Sequence, residues 1–376
     1  MKKIGIDLLW VKVGKNGGAE SYIRNILDGL NNYADEKMFN FILFLTEDNY
    51  KSFEKYFKKE IFKKVILPIK SERVFSRIIK ENILLDKYAK KEKIDLMFVP
   101  VYSKPLIKNK KIPYIITIHD LQALHYPEYF SKIKNLWLRF AWKRCAQTAD
   151  KIVAISNFVK KDIEEKFDID SKKITVIYNP ITGIDNIENF QKIKNKYNIE
   201  KNNYYYTVSS LLPHKNLKTL LYTMKKIKES NLNIPKKLVI SGVGGKSEAE
   251  IKKIINDLNI QNEIILTGFI SNEERNSLYK NAKIFLFPSI FEGFGMPPIE
   301  AMNLGTPVIT TKKASIYEVT KGKAIYVEDP FNEGEWFEKI NKFNEMKDSI
   351  HNYKEYDLEN IIKRYINLFK EKYKSI

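Results

Sequence analysis

The stretch Pro288-Ser-Ile-Phe-Glu-Gly-Phe-Gly-Met-Pro-Pro-Ile-Glu-Ala-Met-Asn-Leu-Gly-Thr-Pro-Val-Ile309 decides how this chain of 376 residues is read. The apolar run Ile284–Phe287 just before it has the length of a buried strand. The glycine loop Gly293-Phe294-Gly295 follows. Pro297 and Pro298 suit the first turn of a helix, where a missing N–H is no loss, and Gly305 suits its end. A strand that turns through glycines into a helix aims backbone N–H groups and the positive end of the helix dipole at one spot. That is an anion site suited to a diphosphate. Glu292 lies in the loop and Glu300 in the first helical turn. Such carboxylates accept from vicinal hydroxyls, one pair on a sugar and one on a ribose. Taken singly, Glu300 reads as a helix-dipole partner and Glu292 as a solvated loop acid.

Outward from this stretch, short apolar runs alternate with segments of helical period. Strand-like runs are Ile4–Leu9, Phe41–Leu45, Leu96–Val99, Tyr114–Ile118, Ile152–Ile155, Tyr205–Val208, Lys237–Ile240, Ile264–Leu266, Ile284–Phe287 and Pro307–Thr310. Helical segments such as Ala19–Leu30, Leu217–Ser230 and Ala249–Leu258 lie between them. The alternation predicts parallel sheets with helices on both faces. It breaks near Asn179–Asp185, at Asn-Pro and a glycine, and restarts at Tyr205. The expectation is two doubly wound, Rossmann-like α/β domains, residues 1–180 and 181–355, facing each other across a cleft. A terminal helix over 356–376 is expected to pack back on the first domain. Ligands in such sheets sit beyond the carboxyl ends of the strands.

The unusual residues fall there. After the run at Tyr205 comes Ser209-Ser-Leu-Leu-Pro-His-Lys215, which puts an ammonium at a strand-to-helix turn. After Tyr114–Ile118 come His119 and Asp120; the ring points into the expected cleft, and Asp120 either orients it or caps the next turn. After the first strand, Gly14-Lys-Asn-Gly-Gly18 carries no dinucleotide fingerprint, but Gly17 and Gly18 allow close backbone approach. Ser241-Gly242-Val-Gly-Gly245 and Thr267-Gly-Phe269 are weaker signals of the same kind. Asp168-Ile-Asp170 has the form of a metal motif but stands at the amino end of a strand, so it reads as a turn. Cys145 lies in an apolar-periodic segment and reads as a buried hydrophobe, and His125 as structural or acceptor-facing.

With Gly-Phe-Gly-Met-Pro between Glu292 and Glu300, the opening stretch resembles the E-x7-E signature of the retaining family 4 glycosyltransferases, which have the GT-B fold. The likeness continues through Gly305-Thr-Pro-Val-Ile309 and Gly322-Lys-Ala-Ile-Tyr-Val-Glu-Asp-Pro330. It implies retaining, metal-independent transfer of a hexose or deoxyhexose from a nucleotide-diphosphate sugar to a glycan acceptor, with no cofactor. His119, Glu292 and Lys215 are the implied catalytic residues. The implied donor-binding residues are Gly17, Gly18, Ser210, Lys215, Gly242, Phe269, Glu292, Gly293, Phe294, Gly295, Met296 and Glu300. Relatives often carry an arginine where Ser210 stands; His214 or backbone amides are expected to share its load. A nucleotide-sugar epimerase of the same fold would lack the Glu292–Glu300 string.

Composition bounds the rest. Hydrophobic residues make up 44% and charged residues 30%, enough for two cores. One cysteine excludes a disulfide framework. The amino terminus runs into a strand without an apolar signal core, and no run nears the roughly 20 apolar residues of a membrane span, so the expected location is the cytoplasm. The net charge is +19. Residues 1–179 carry 35 Lys and Arg against 22 Asp and Glu, and residues 180–376 carry 30 against 24. That excess points to an anionic partner or to a lysine-rich codon bias. No nucleic-acid-reading motif accompanies it. The mixed basic and aromatic stretches 51–93 and 131–144 suggest docking on the anionic inner face of the plasma membrane, toward a polyprenyl-linked acceptor of surface polysaccharide synthesis. The competing reading is that their aromatics are core residues.

Overall fold

A computed structural model describes residues 1–102, 104–105, 112–244, 246–343, 351 and 353–371. The chain forms two compact units, Met1–Pro180 with Glu355–Ile376, and Ile181–Lys354.

In the N-terminal unit the strands are β1 (Lys2–Asp7), β2 (Phe39–Thr46), β3 (Phe62–Leu67), β4 (Leu96–Val99), β5 (Tyr114–Ile118), β6 (Lys151–Ala154) and β7 (Ile174–Val176). Helices α1 (Gly17–Tyr33), α2 (Val74–Lys91), α3 (Gln122–His125), α4 (Lys132–Thr148) and α5 (Asn157–Phe167) connect them. The sheet order is β3-β2-β1-β4-β5-β6-β7, every pair parallel. β2 is buried along its whole length, as a strand covered on both faces must be. β3, Phe-Lys-Lys-Val-Ile-Leu, was not apparent from its residues. Its two lysines are exposed on an edge strand, where charge blocks pairing with another chain. The same placement decides the fate of residues 51–62. Phe53, Tyr56 and Phe62 are buried in the unit's own core, leaving the lysines together with Glu54 and Glu60 to solvent.

The C-terminal unit opens with α6 (Phe190–Tyr197). It continues as β8 (Tyr205–Val208), α7 (Leu217–Glu229), β9 (Leu238–Ser241), α8 (Lys246–Asp257), β10 (Ile264–Gly268), α9 (Asn272–Asn281) and β11 (Ile284–Phe287). Then come α10 (Met296–Asn303), β12 (Val308–Thr311), α11 (Ile316–Val319), β13 (Ile325–Val327) and α12 (Glu333–Phe343). The order is β10-β9-β8-β11-β12-β13, again all parallel. Leu220, Met224 and Ile227 of α7 pack with Ile240, Leu286 and Ile309 of the sheet and with Trp336 of α12. The indole Nε1–H of Trp336, fully buried, donates to Pro330 O at 3.0 Å, so the large ring enters the core with no polar atom stranded.

The last helix, α13 (Leu358–Lys370), returns to the N-terminal unit and lies on α1. The approach is close enough that a Cβ on Gly29 would stand 2.3 Å from Ile362 Cγ1, so glycine is required there by space rather than by backbone angle. Phe369 packs edge-on to Phe98 of β4. Among the described residues no helix is long and apolar enough to cross a membrane.

Candidate active site

Each sheet has one place where the chain's direction of progress reverses. In the C-terminal unit that switch lies between β8 and β11, so the loops leaving these two neighbouring strands open side by side. The loop after β8 passes through the short 3-10 turn Pro213–Lys215 and the left-handed Asn216 before α7 begins. The loop after β11 carries Glu292 to Gly295 and enters α10, with Gly295 as N-cap and proline inside the first turn. The His214 carbonyl stitches the loops together, accepting from Ile290 N at 2.8 Å and Ser289 Oγ at 3.2 Å. Ser315 Oγ, from the segment after β12, donates to Glu292 O and Phe294 O, both at 2.9 Å.

This scaffold brings Lys215 Nζ to 2.6 Å from Glu292 Oε1, across 77 residues of sequence. Both side chains are partly open to solvent. The pair is an ammonium held in place by a carboxylate at the mouth of the glycine loop. Gly293, Phe294 and Gly295 are buried, and Met296 is half-buried at the start of α10.

Glu300, expected in the first turn of the helix to accept from ligand hydroxyls, is mostly withdrawn from solvent. It is 7% exposed, and both oxygens are engaged. Oε1 takes a charge-assisted bond from Arg275 Nη2 at 3.4 Å, and Oε2 accepts from the Tyr279 hydroxyl at 3.1 Å. Both partners lie on α9, and neither was singled out in the sequence, where nothing ties them to Glu300 across 21 and 25 positions. Burial and the neighbouring carboxylate push the Tyr279 phenol well above its usual pKa, so it stays a donor.

His214 does not replace the missing arginine as a cation. Burial, reinforced by the adjacent Lys215, lowers its pKa to about 4, so the ring is neutral near pH 7. Ser210 is half-buried and brings no charge, which leaves Lys215 and backbone N–H groups as the positive elements at this switch point.

The weaker glycine signals also come together. Gly242 N–H donates to Gly268 O at 2.9 Å. Its φ of +88° and the Ser209 carbonyl, 2.9 Å from where a Cβ would sit, leave no residue but glycine. Phe269 beside it is 83% exposed, an uncovered aromatic face at the carboxyl edge of the sheet. Gly245 lies outside the described residues.

In the N-terminal unit the switch lies between β1 and β4. His119, the residue after β5, reaches the Pro100 carbonyl beyond β4 with Nε2 at 2.9 Å. A carbonyl only accepts, so Nε2 carries the proton and the neutral ring keeps its lone pair on Nδ1. Burial holds the ring's pKa below the ordinary value. Tyr22 of α1 meets the imidazole edge-on, with centroids 4.8 Å apart, and its hydroxyl bonds Thr117 and the Tyr365 hydroxyl of α13. Tyr22 and Pro100 therefore hold His119, with Tyr365 steadying Tyr22, and the sequence carries no sign of it because all of these contacts are tertiary. Asp120 Oδ1 accepts from Gln122 N at 2.9 Å, so it caps the turn into α3. Gly17 and Gly18 open α1 with nothing within 4 Å of a Cβ built on either.

The remaining candidates are structural. Asp168 is the left-handed residue that ends α5, and Asp170 Oδ1 accepts from Lys172 N at 2.8 Å. His125 Nε2 pairs with Asp162 Oδ2 at 2.8 Å. Cys145 is buried.

Residues 189–359 match the family described as Glycosyl transferases group 1, and residues 16–182 match Glycosyltransferase Family 4. The O-antigen chain mannosyltransferase RfbU of Salmonella typhimurium is 31% identical over 252 residues, 67% of this chain and 65% of that protein. The O-antigen chain mannosyltransferase B of Escherichia coli is 26% identical over 224 residues, 57% of each chain. The matches thus span somewhat less than two thirds of either relative. Anabaena HepE in complex with UDP and glucose superposes with a TM-score of 0.71 at 18% identity, over 98% of this chain and 99% of that one. WaaG, a glycosyltransferase involved in lipopolysaccharide biosynthesis, gives 0.64 at 14% identity, over 99% and 97%. The fold is GT-B, and the chain belongs to the group 1 glycosyltransferases of family 4.

Proposed function

We propose, on the premise of that membership, that the chain transfers a hexose from a nucleoside-diphosphate sugar to a lipid-linked glycan acceptor, with retention and without a metal ion. The observation that carries the reading is the Lys215–Glu292 pair at the glycine loop that opens α10. As the bond from the sugar's anomeric carbon to the diphosphate breaks, its electron pair passes to the phosphate oxygen. Lys215 and the N–H groups at the start of α10 stabilise that charge from positions fixed before the reaction. The leaving phosphate takes the acceptor's proton. Glu292 accepts from sugar hydroxyls and Glu300, fixed by Arg275 and Tyr279, from the ribose. Gly242 and the exposed Phe269 suit a base edge and a base face. His119 offers Nδ1 to a sugar hydroxyl.

The two curated relatives are named as O-antigen chain mannosyltransferases, which favours mannose as the sugar and a surface polysaccharide as the product. Docking on an anionic membrane from the cytoplasmic side draws support from α4, which has five basic residues and no acidic one, with Ile133, Leu136 and Phe140 exposed among them.

A thermal-shift screen over GDP, UDP and dTDP, followed by sugar transfer from the matching donor, tests the reading. A diphosphate at 100 times its Kd stabilises by about 2.7 kcal/mol. If none of the three raises the melting temperature, the donor site is misassigned.

A further inference from the structure

Between α2 and α4 of the N-terminal unit lies a groove of about 640 Å³ that the proposed transfer chemistry leaves unused. Phe75 and Ile78 from α2 and Ile133, Trp137 and Leu138 from α4 form its walls. Phe75 is 87% exposed and Ile133 is 85% exposed, so the lips are apolar and open to solvent. The apolar character continues along both helices. Ile79 and Ile83 follow Phe75 at steps of four residues, and Phe140 follows Ile133 at a step of seven, all of them exposed. Those spacings keep each set on one helix face. Two neighbouring helices with open apolar stripes beside one apolar groove exceed the scattered surface hydrophobics of an ordinary domain.

The floor is polar and mostly cationic. Arg77 and Glu81 form a buried ion pair, Nη1 to Oε2 2.9 Å, and Arg77 Nε has no hydrogen-bond partner among the described residues. Lys104 is buried, and Lys134 lies at the α4 side. Three cations and the Glu81 carboxylate line the groove, and the buried Asp7 also acts on Arg77, so a net positive charge remains that suits an amphiphile with an anionic head. A second copy of the chain is a poor occupant, because it would set one cationic α4 against another.

Topology connects the groove to the site. α2 runs from β3 to β4 and α4 from β5 to β6, so both begin at the carboxyl edge of the sheet; the groove starts at their first residues, Val74 and Phe75 on α2 and Ile133 and Lys134 on α4, and runs on to Asn82 and Cys145. Its floor residues Tyr102 and Lys104 continue the segment from Pro100, the residue that takes the His119 Nε2–H.

We propose that this groove seats the aliphatic chain of a lipid-phosphate acceptor, its phosphate drawn to Arg77, Lys104 and Lys134. The acceptor's sugar end then emerges at the sheet edge that carries His119. The proposal rests on the reading of a lipid-linked acceptor and adds the place where the lipid is held.

Alkyl phosphates of six, eight, ten and twelve carbons are titrated onto the full chain below their micelle concentrations, with tryptophan fluorescence reporting on Trp137 and Trp142. Affinity should rise about fourfold per added methylene until the groove is full. Ile133→Glu puts a charge on an exposed lip without touching the core and should weaken dodecyl phosphate binding at least tenfold. Ala141→Trp, which fills the groove, should do the same. Both variants should keep the parent's rate on a lipid-free glycan acceptor. Affinity independent of chain length and matched by inorganic phosphate, or dodecyl phosphate binding unchanged in both variants, overturns the proposal. Nucleoside-diphosphate binding is read on the same samples. Its loss would strike the transferase reading, whereas nucleotide binding without chain dependence would strike the groove alone.

Discussion

Replacing Lys215 by methionine removes the ammonium while keeping most of the side chain's bulk. In the free protein the lost contact is the 2.6 Å pair with Glu292, and both partners are partly solvated. Pairs of that kind contribute about 0–1 kcal/mol to stability, so the melting temperature should move by no more than a few degrees. The effect on turnover should be much larger. Losing one fixed charge-stabilising donor costs roughly 2.7–4 kcal/mol of the barrier, about 10²–10³ in kcat. Here a second term adds to it. With Lys215 gone, the Glu292 carboxylate stays at the mouth of the glycine loop, unneutralised, and repels the incoming diphosphate. Lys215→Met should therefore fall at the upper end, near a thousandfold in kcat/KM. Adding Glu292→Gln should recover part of that loss, because the repulsion goes while the sugar contact is lost only once. The double variant should be better than the product of the singles by roughly 1–2 kcal/mol, within the range measured for residues in contact. Steady-state transfer from the donor identified by thermal shift, on the four proteins of the cycle, measures this. A Lys215→Met rate within threefold of the parent, or losses that simply multiply, would refute the shared role of the pair.

Glu300→Ala should lower turnover about a hundredfold and also cost on the order of 2 kcal/mol of stability, because it strips a buried partner from Arg275 and Tyr279. Thermal melts and kcat/KM check both, and an unchanged melting temperature would contradict the burial argument. Transfer should persist in excess EDTA; a strict need for Mn²⁺ or Mg²⁺ would reopen the reading of Asp168 and Asp170. The two units should respond oppositely to acid. Asp7, fully buried, has its pKa raised to about 6, so it favours the fold below about pH 4 and loses that contribution as pH rises through 6. His214, lowered to about 4, contributes fully above about pH 6.5 and loses it as pH falls toward 4. In calorimetry Asp7→Asn should raise stability at pH 7.5 by about 1–3 kcal/mol, and His214→Gln should reduce the acid loss; a fall on Asp7→Asn at that pH would show the carboxylate to be satisfied. Flotation with phosphatidylglycerol vesicles should show binding at low salt that fades toward 0.5 M, and no flotation at any salt would leave the positive charge as composition alone.

The residues themselves determined the alternation of strand and helix, the break near residue 180 and the order of the loops. Those depend on local period and on glycine and proline, which act within a few positions. The opening string needed no structure to be read as an anion site, since strand, glycine loop and helix N-terminus are contiguous in the chain. β3 escaped notice because an edge strand is defined by its neighbour and not by its own Phe-Lys-Lys-Val-Ile-Leu. The charge state of His214, the burial of Glu300 among Arg275 and Tyr279, and the grip of Tyr22 and Pro100 on His119 arise between residues 19 to 97 positions apart, or from burial itself. So does the contrast between Phe53 and Tyr56 in the core and Phe75 and Ile133 in solvent, two stretches that read alike as basic and aromatic. A side chain's type is written in the sequence, but its solvent exposure, its partners and therefore its pKa are set by which distant segments the parallel sheets bring to the same edge.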